Sequence, residues 1–188
     1  MAVTNCTFVN NTATNGGGMY NRALTLTVTN CIFWGNTASV SSDQLYTYAG
    51  TPVTVSYCDI QGGWGGAGSN NIATNPFHDD IPDQVQLLST SPCIDAGDNT
   101  PVTDTIDIIG RDRIVDGDCN DTDIVDMGAY EFDWVYIGDF AGGCDIDFAD
   151  YSIFALTWLN GDGDPDYNPI CDISIPADSY IDEKDLNI

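Results

Sequence analysis

Hydrophobic and polar residues alternate in a six-residue phrase that recurs along the first third of the chain. The phrase is VTNCTF at residues 3–8, VTNCIF at residues 28–33 and, in a looser form, VSYCDI at residues 55–60. Its copies begin at Val3, Val28 and Val55, and a period of this length suits a coil of three short strands. The alternation therefore predicts stacked strands whose valine, cysteine and phenylalanine side chains point into a shared core.

Asn5 and Asn30 interrupt the alternation at the same place in the first two copies. Asparagine tolerates the left-handed backbone conformation, so the sequence predicts a bend between strands at each of them. Equivalent residues on successive coils would stack at roughly 4.8 Å, which makes Cys6, Cys31 and Cys58 an inward ladder. A disulfide between neighbouring rungs is allowed by distance, but parallel Cβ vectors disfavour its torsion. Buried thiols are therefore expected.

The charge of the chain excludes one class of partner. Its 188 residues include 29 Asp and Glu but only four Lys and Arg, which gives a formal net charge of −25. A nucleic-acid-binding surface needs a basic stripe, and these residues cannot form one. The acidity fits cation binding or a saline medium, with a surface tuned for solubility as the alternative. No run approaches the roughly 18 apolar residues of a membrane span, so membrane insertion is not expected.

The cysteine content bears on the redox environment of the protein, and the two chain ends bear on whether it is a fragment. Seven cysteines in so acidic and lysine-poor a chain indicate an oxidising, extracellular environment, with an odd thiol left over. The chain starts within a repeat and stops at DEKDLNI, where a helix would be starting. We therefore expect a fragment of a longer protein, and a missing signal peptide says nothing about where that protein resides.

The repeats resemble those of right-handed parallel β-helix proteins of the pectin-lyase-like superfamily. The phrases NIATNPF, LLSTSPCIDAGDN, IIGRDRIVDG and IVDMGAYEF then follow in the order found in the closing segment of many bacterial surface β-helix proteins. This resemblance implies a mainly β chain with a parallel β-helix over residues 1–133, located outside the cell or at its surface.

Four residues of the closing segment are candidates for specific roles. Asp95 and Asp98 could ligate a metal, although short Asp side chains beside glycine more often accept hydrogen bonds from turn amides. Cys93 and Cys119 lie beside turn residues in the same block and are candidates for a disulfide that would join its loops.

A second unit is expected over residues 134–188, where two acidic loops each lead into a helix. The first loop and helix read GDFAGGCDIDFADYSIFALTWL, and the second read NGDGDPDYNPICDISIPADSYIDEKDL. A duplicated loop and helix resembles the dockerin type I module, whose loops are EF-hand-like calcium sites. The resemblance implies calcium as a cofactor and a cohesin-like partner, with the second helix cut short.

The calcium ligands carry over residue by residue, and the two loops are unequal. In the first loop the matching positions hold Asp139, Asp147 and Asp150, with Asp145 as a supplement. In the second loop they hold Asp172, Ser174, Asp178, the Tyr180 carbonyl, Asp182 and Asp185. The second loop is therefore expected to be the stronger site, and the alternative for both is a set of helix-capping acids.

Cys144 and Cys171 stand at matching places just before the acidic core of each dockerin-like loop. A disulfide between them would tie the two loops together. It would remove about 3 to 4 kcal/mol of loop-closure entropy from the unfolded state of a small module.

Three functional hypotheses follow, and none of them assigns a catalytic residue. The leading one is a non-catalytic structural or adhesion module, because a fold alone does not decide function and the acid/base candidate His78 has no nucleophile motif beside it. The alternative is a polysaccharide-binding or polysaccharide-degrading β-helix, either a lyase or a glycoside hydrolase. Its sugar-stacking candidates are Trp34, Tyr46, Tyr48 and Trp64. The third is assembly into homo-oligomers or filaments through unpaired strand edges at the β-helix ends.

Overall fold

A computed structural model of the chain describes residues 1–22, 25–49, 51–77, 85–132, 139–141, 146–158, 160–161, 163–165 and 168–171. The chain divides into two compact units, Met1–Asp133 and Trp134–Ile188. Short parallel strands dominate the first unit, and an α-helix lies in the second. The chain is thus mainly β with parallel sheets, as the alternating pattern predicted.

The strands of the first unit fall into three repeats. The first repeat holds β1 (Ala2–Thr4), β2 (Thr7–Val9), β3 (Thr12–Asn15) and β4 (Met19–Asn21). The second holds β5 (Leu26–Thr29), β6 (Ile32–Trp34), β7 (Thr37–Ser41) and β8 (Leu45–Thr47), and the third holds β9 (Val53–Ser56) and β10 (Asp59–Ile60). The prediction of three strands per coil is wrong for the first two repeats. A corner at Gly16 (φ 58°) separates β3 from β4, and a corner at Ser42 (φ 52°) separates β7 from β8, which adds a fourth strand to each of these repeats.

Each strand pairs in parallel with its equivalent in the next repeat. The sheets have the orders β1-β5-β9, β2-β6-β10, β3-β7 and β4-β8. Val3 lies opposite Val28, and Val28 lies opposite Val55, so the copies of the phrase are in register. The predicted alignment is confirmed, and residues Leu26, Val28, Cys31, Phe33, Leu45, Val55, Cys58 and Ile60 form the buried core.

The predicted bends are also confirmed. Asn5, Asn30 and Tyr57 occupy equivalent positions with φ of 51°, 53° and 52°. The cysteine after each bend carries a thiol rather than a disulfide. Each thiol donates a hydrogen bond to the carbonyl two residues earlier, at 3.1 Å in the first repeat and 3.2 Å in the next two. The bend and the thiol therefore form one local unit that recurs in every repeat.

The third repeat is shorter than the other two. After β10 the chain returns directly, so that Ala67 pairs with Thr54 and Ile72 pairs with Asp59. Two of the four sheets thereby gain a further bridge, whereas β7 and β8 each pair with a single strand on the first-repeat side. Trp64 packs against this end of the core, and its Nε1 donates to the Ala67 carbonyl at 3.0 Å.

The closing segment, residues 85–132, packs on the outer face of β6. It is largely irregular, with isolated antiparallel bridges between Ile106 and Asp112 and between Val115 and Ile124. A second apolar cluster joins it to the sheet, with Ile32, Leu87, Cys93 and Met127 buried at its centre.

The described part of the second unit is a short helix with a small core. The helix α1 spans Phe148–Thr157, and a 3-10 turn spans Pro169–Cys171. Phe154 and Cys171 are buried, with Phe140, Ile153 and Trp158 packed around them. Helical spacing in the sequence correctly predicted this helix.

Candidate functional site

Three carboxylates of the first unit meet at the surface of the closing segment. Oxygens of Asp95, Asp116 and Asp118 all lie within 4.8 Å of one another. Asp95 has a left-handed backbone (φ 49°) in the IDAGD turn, and its carboxylate accepts hydrogen bonds from the amides of Gly117 at 3.3 Å and Asp118 at 2.7 Å. Because these bonds cross between two loops, they hold the loop of residues 116–121 against the turn.

Two opposing effects set the pKa values of the clustered acids: burial raises them, and hydrogen bonds from backbone amides lower them. Partial burial raises the pKa of Asp95 to about 6, and two amide hydrogen bonds oppose that shift. Desolvation acts in the same direction on Asp116, but the amides of Asn120 and Asp121 outweigh it and lower its pKa. A donor set made only of carboxylate oxygens suits a hard divalent cation such as calcium.

Sequence reasoning found one member of this cluster and missed two. Asp95 was a metal candidate, whereas Asp116 and Asp118 were not singled out. The signal that could have found them is DGD, two aspartates on either side of a glycine in a turn-rich stretch. Asp98 serves the turn instead, since its carboxylate accepts the Thr100 amide at 2.9 Å.

The first of the two acidic loops of the second unit places its described acids at the start of α1. Asp147 is the N-cap, and its carboxylate accepts the Ala149 amide. Asp150 closes the capping box by accepting the amides of Asp147 and Ala141, both at 2.8 Å, which lower its pKa. Among the described residues of this loop, Asp139, Asp147 and Asp150 do not converge as the closing-segment acids do. Helix capping is therefore the observed role of Asp147 and Asp150.

Several sequence candidates lie outside the described residues. They are Asp145, Asp172, Ser174, Asp178, Tyr180, Asp182 and Asp185 of the two acidic loops, together with Cys144 and His78.

The predicted disulfides are corrected by the structure. Cys93 is a buried thiol that donates to Asp59 Oδ2 at 3.4 Å, whereas Cys119 is disulfide-bonded, so these two residues are not joined to each other. The reason is placement: Cys93 lies in the apolar cluster against β6, and Cys119 lies at a half-exposed bend with φ of 63°. Cys171 also carries a thiol, beside Phe154, so the prediction of a bond between Cys144 and Cys171 is wrong.

The four sugar-stacking candidates divide into two pairs. Trp34 packs against the closing segment and Trp64 covers the end of the core, so both serve packing. Tyr46 stacks on Tyr20 with ring centroids 5.2 Å apart and planes 1° apart, and the guanidinium of Arg22 lies 5.9 Å from the Tyr48 ring. The outer face of β4 and β8 therefore carries a tyrosine pair and a cation–π pair at the surface.

A cavity of about 620 Å³ lies where the short third repeat leaves β7 and β8 uncovered, next to Trp64. Its polar wall is a chain of amides. Asn36 Nδ2 donates to Gln44 Oε1 at 2.7 Å, and Gln44 Nε2 donates to Gln61 Oε1 at 3.1 Å. These hydrogen bonds between side-chain amides hold the three side chains of the wall in fixed positions.

A buried ionic network connects separate loops of the closing segment. Arg113 contacts Glu131 at 2.7 Å, with both side chains almost completely buried. The other Glu131 oxygen accepts the Asp126 amide at 3.0 Å, and the Asp126 carboxylate accepts the amides of Asp95 and Phe132. Burial raises the pKa of Asp126 to about 7 and that of Glu131 to about 8. Repulsion from a neighbouring carboxylate adds to each shift, and the Arg113 guanidinium opposes it.

Asp59 is a further buried acid, and its ionisation should make the stability of the first unit depend on pH. One of its oxygens accepts the Cys93 thiol, and the other has no hydrogen-bond partner in the described part of the chain. Burial raises its pKa to about 6, above the value of about 3.9 expected in the unfolded chain. The folded state therefore holds the proton more tightly, so the contribution of Asp59 to stability is greatest below about pH 4 and falls as the pH rises to about 6.

We expect Asp59→Asn to remove the contribution of Asp59 to this pH dependence. Relative to the original chain, the free energy of unfolding of the variant should then be higher at pH 8 than at pH 4 by about 1 to 3 kcal/mol. Urea denaturation of both proteins between pH 4 and pH 8 measures the effect. A constant difference between the two proteins across that range would contradict it.

Comparisons with protein-family models, curated proteins and solved structures give no match to this chain. Within the residues that the structure describes, no helix has the length and apolar character needed to cross a membrane. The geometry of the chain's own residues is therefore the basis for a functional proposal.

Proposed function

We propose that this chain is a non-catalytic structural or adhesion module that acts outside the cell or at its surface. Residues 1–133 would form the end of a right-handed parallel β-helix, and residues 134–188 a calcium-stabilised, dockerin-like tail for a cohesin-like partner. The observation that carries the proposal is the in-register parallel stacking of the three repeats.

The polar residues of the repeats support a structural role, because they are used to join one repeat to the next. Asn30 Nδ2 donates to Asn5 Oδ1 at 3.0 Å, and Ser41 Oγ donates to Asn15 Oδ1 at 2.7 Å. The rings of the core stack in the same way, with Phe8 and Phe33 centroids 4.6 Å apart. Contacts between equivalent residues of neighbouring repeats give a stiff stack whose stability grows with each repeat.

The proposal assigns calcium binding to the tail, residues 134–188. The charge of −25 favours a divalent cation, and the resemblance assigns the second loop, residues 172–185, as the stronger site. The capping roles of Asp147 and Asp150 favour the second loop over the first. Bound calcium would neutralise clustered carboxylates that otherwise repel one another, and so would order the tail.

Calorimetric titration tests this proposal against the closing-segment acids. We expect the chain to bind calcium, and Asp182→Ala with Asp185→Ala to weaken binding by at least about tenfold, since each change removes a carboxylate ligand. Asp116→Asn with Asp118→Asn removes the same number of charges elsewhere and should leave tail binding unchanged. Hydrogen exchange with calcium present should slow in residues 139–188 and stay constant in β1 to β10.

Two results would count against the tail as the calcium site. The first is a tail double variant that binds calcium as the original chain does. The second is loss of binding in the Asp116 and Asp118 variant, which would move the ion to the closing segment.

A polysaccharide-binding function is the second candidate, and the face of β4 and β8 is the observation that favours it. Tyr20, Tyr46 and Tyr48 lie there with Arg22, and aromatic rings beside a cation suit sugars that carry carboxylates. Affinity electrophoresis in gels containing polygalacturonate discriminates the two functions. Retardation that is lost with Arg22→Gln and Tyr48→Ala would favour glycan binding, and new reducing ends or unsaturated products in the same assay would indicate an enzyme.

A further inference from the structure

The cavity of about 620 Å³ beside Trp64 lies between turns of the second and third repeats. The turn from β6 to β7 provides residues 35–37, the turn from β7 to β8 provides residues 42–45, and the return after β10 provides residues 60–64. Its volume falls within the range of small-molecule sites, which enclose about 300 to 1,000 Å³. In the described part of the chain, β7 and β8 have no third-repeat strand beside them, and this leaves the space for a ligand.

The amide wall of this cavity has a fixed hydrogen-bond direction. The backbone amide of Asn11 donates to Asn36 Oδ1 at 3.0 Å, and that of Gly35 donates to Gln61 Oε1 at 2.8 Å. A backbone N–H donates to the oxygen of a side-chain amide and not to its NH₂ group, so both ends of the wall are oriented by the backbone. Gln44, between them, must accept from Asn36 and donate to Gln61, as it does.

Two polar groups of the lining remain available to a ligand. Gln61 Oε1 already accepts two hydrogen bonds, whereas Gln61 Nε2 donates to no group among the described residues. One oxygen of Asp43 accepts the Ala38 amide at 2.6 Å, and within the described ranges its second oxygen accepts none. Both side chains are exposed. The cavity therefore offers a donor and an acceptor, and a hydroxyl group can use both because it donates and accepts.

Trp64 gives the cavity an apolar surface in a fixed orientation. Its Nε1 donates to the Ala67 carbonyl at 3.0 Å, and Gly66 lies so close that a Cβ there would be 2.5 Å from the indole Cζ2. The side chain is half-buried against the core, so the rest of its surface can contact a ligand. A held indole of this kind can pack against the apolar face of a sugar ring.

The charge of the lining selects among ligands that carry hydroxyl groups. Among the described residues that line the cavity, Asp43 is the only charged one. Phosphates, sulfates and uronates would be repelled by its carboxylate, and no cation of the lining would attract them. An uncharged, hydroxyl-rich ligand can satisfy the free donor, the free acceptor and the indole together.

From these observations we propose that the cavity binds an uncharged saccharide. One sugar ring packs against Trp64, and its hydroxyl groups bond to Gln61 Nε2 and to the free oxygen of Asp43. This site goes beyond the proposed structural function and does not depend on calcium binding by the tail. It also differs from the face of β4 and β8, where Arg22 favours sugars that carry carboxylates.

NMR titration of the whole chain with hexasaccharides tests the site. The probes are uncharged hexasaccharides of glucose, mannose, galactose and xylose, each up to about 10 mM, with a hexagalacturonate as the charged comparison. We expect at least one uncharged probe to shift the signals of the Gln61 side-chain amide and the Trp64 indole N–H. Hexagalacturonate should leave both signals in place, because the Asp43 carboxylate repels it.

Variants with matched controls identify the contacts. Gln61→Ala should weaken binding of the uncharged probe about three- to tenfold, the value of one hydrogen bond, and Gln86→Ala, at an exposed glutamine of the closing segment, should not weaken it. Trp64→Ala should weaken binding at least about tenfold, and Tyr48→Ala on the outer face of β8 should not. Trp64 also packs on the core, so Gln61→Ala is the deciding variant.

Three results would overturn the inference: unchanged Gln61 and Trp64 signals with every uncharged probe, larger shifts with hexagalacturonate, or equal weakening by Gln61→Ala and Gln86→Ala. Circular dichroism on the same samples verifies that each variant keeps the β-rich spectrum. If calcium binds as expected while the two signals stay unchanged, the saccharide site is rejected and the proposed function stands. If the saccharide binds and calcium does not, the calcium tail is rejected and the saccharide site stands.

Discussion

Replacing Asn30 with alanine is expected to lower the free energy of unfolding by about 3 to 5 kcal/mol, from three lost hydrogen bonds and a strained backbone. Asn30 is fully buried with φ of 53°. Its Nδ2 donates to Asn5 Oδ1 and to the Asp98 carbonyl, and its Oδ1 accepts the Asp98 amide at 2.8 Å. One side chain thus joins the first repeat, the second repeat and the closing segment. Urea denaturation at neutral pH measures the loss.

Two further variants separate the contributions of backbone and side chain at Asn30. Asn10 has the same left-handed conformation (φ 55°) but is exposed, so Asn10→Ala should lose only about 1 kcal/mol of backbone preference. Asn30→Gly relieves the backbone strain and should still lose about 3 kcal/mol of hydrogen bonding. Equal losses at positions 10 and 30 would mean that the three side-chain hydrogen bonds of Asn30 contribute nothing.

Replacing Arg113 with methionine is expected to lower the free energy of unfolding by about 3 to 5 kcal/mol, because it leaves buried acids without a counter-charge. Arg113 contacts Glu131 at 2.7 Å and also donates to the carbonyls of Gly128 and Ala129. Burial already raises the pKa of Glu131 to about 8, and losing the guanidinium should raise it further. Thermal and urea denaturation of the variant measure the loss.

The pH dependence of Arg113→Met provides a second measurement. An acid with a raised folded pKa destabilises the fold as the pH climbs from its unfolded value of about 4.3 towards the folded one. The loss relative to the original chain should therefore change little below about pH 7 and should grow as the pH rises through about 8, where Glu131 ionises in the original chain but stays protonated in the variant. Glu131→Gln in the same chain should recover part of it, since the uncompensated charge is removed.

The matched control for Arg113 is Arg111→Met. This residue is exposed and donates to the Glu131 carbonyl at 3.3 Å, so its loss removes the same charge with little burial. A change of about 0.5 kcal/mol or less is expected. If the two variants lose the same stability, net charge rather than the buried pair is responsible.

The site was less predictable than the fold. Asp95 was identified because it lies in a recognisable turn, but its partners Asp116 and Asp118 come from a loop more than 20 residues away. The disulfide predictions failed for a related reason. Matching places in two loops do not bring two sulfur atoms together, and Cys93 is held in the apolar cluster against β6.

Three features of the first unit could be predicted from the sequence alone: the parallel register of the repeats, the left-handed bends at Asn5 and Asn30, and the inward cysteines. These features depend on a phrase of six residues and its period, and backbone sterics act over that range. Helix α1 was equally local, since its spacing and cap lie within a dozen residues.

The way in which the irregular segments attach to the strands could not be predicted from the sequence. The corner that makes four strands per repeat, the contact of Asn30 with Asp98 and that of Ala129 with Thr7 have no sequence period to reveal them. The last of these joins residues 122 positions apart. Such contacts depend on which loops can pack against a sheet once it exists. A buried group then takes whichever partner the packing brings within reach, because leaving it unpaired would destabilise the fold.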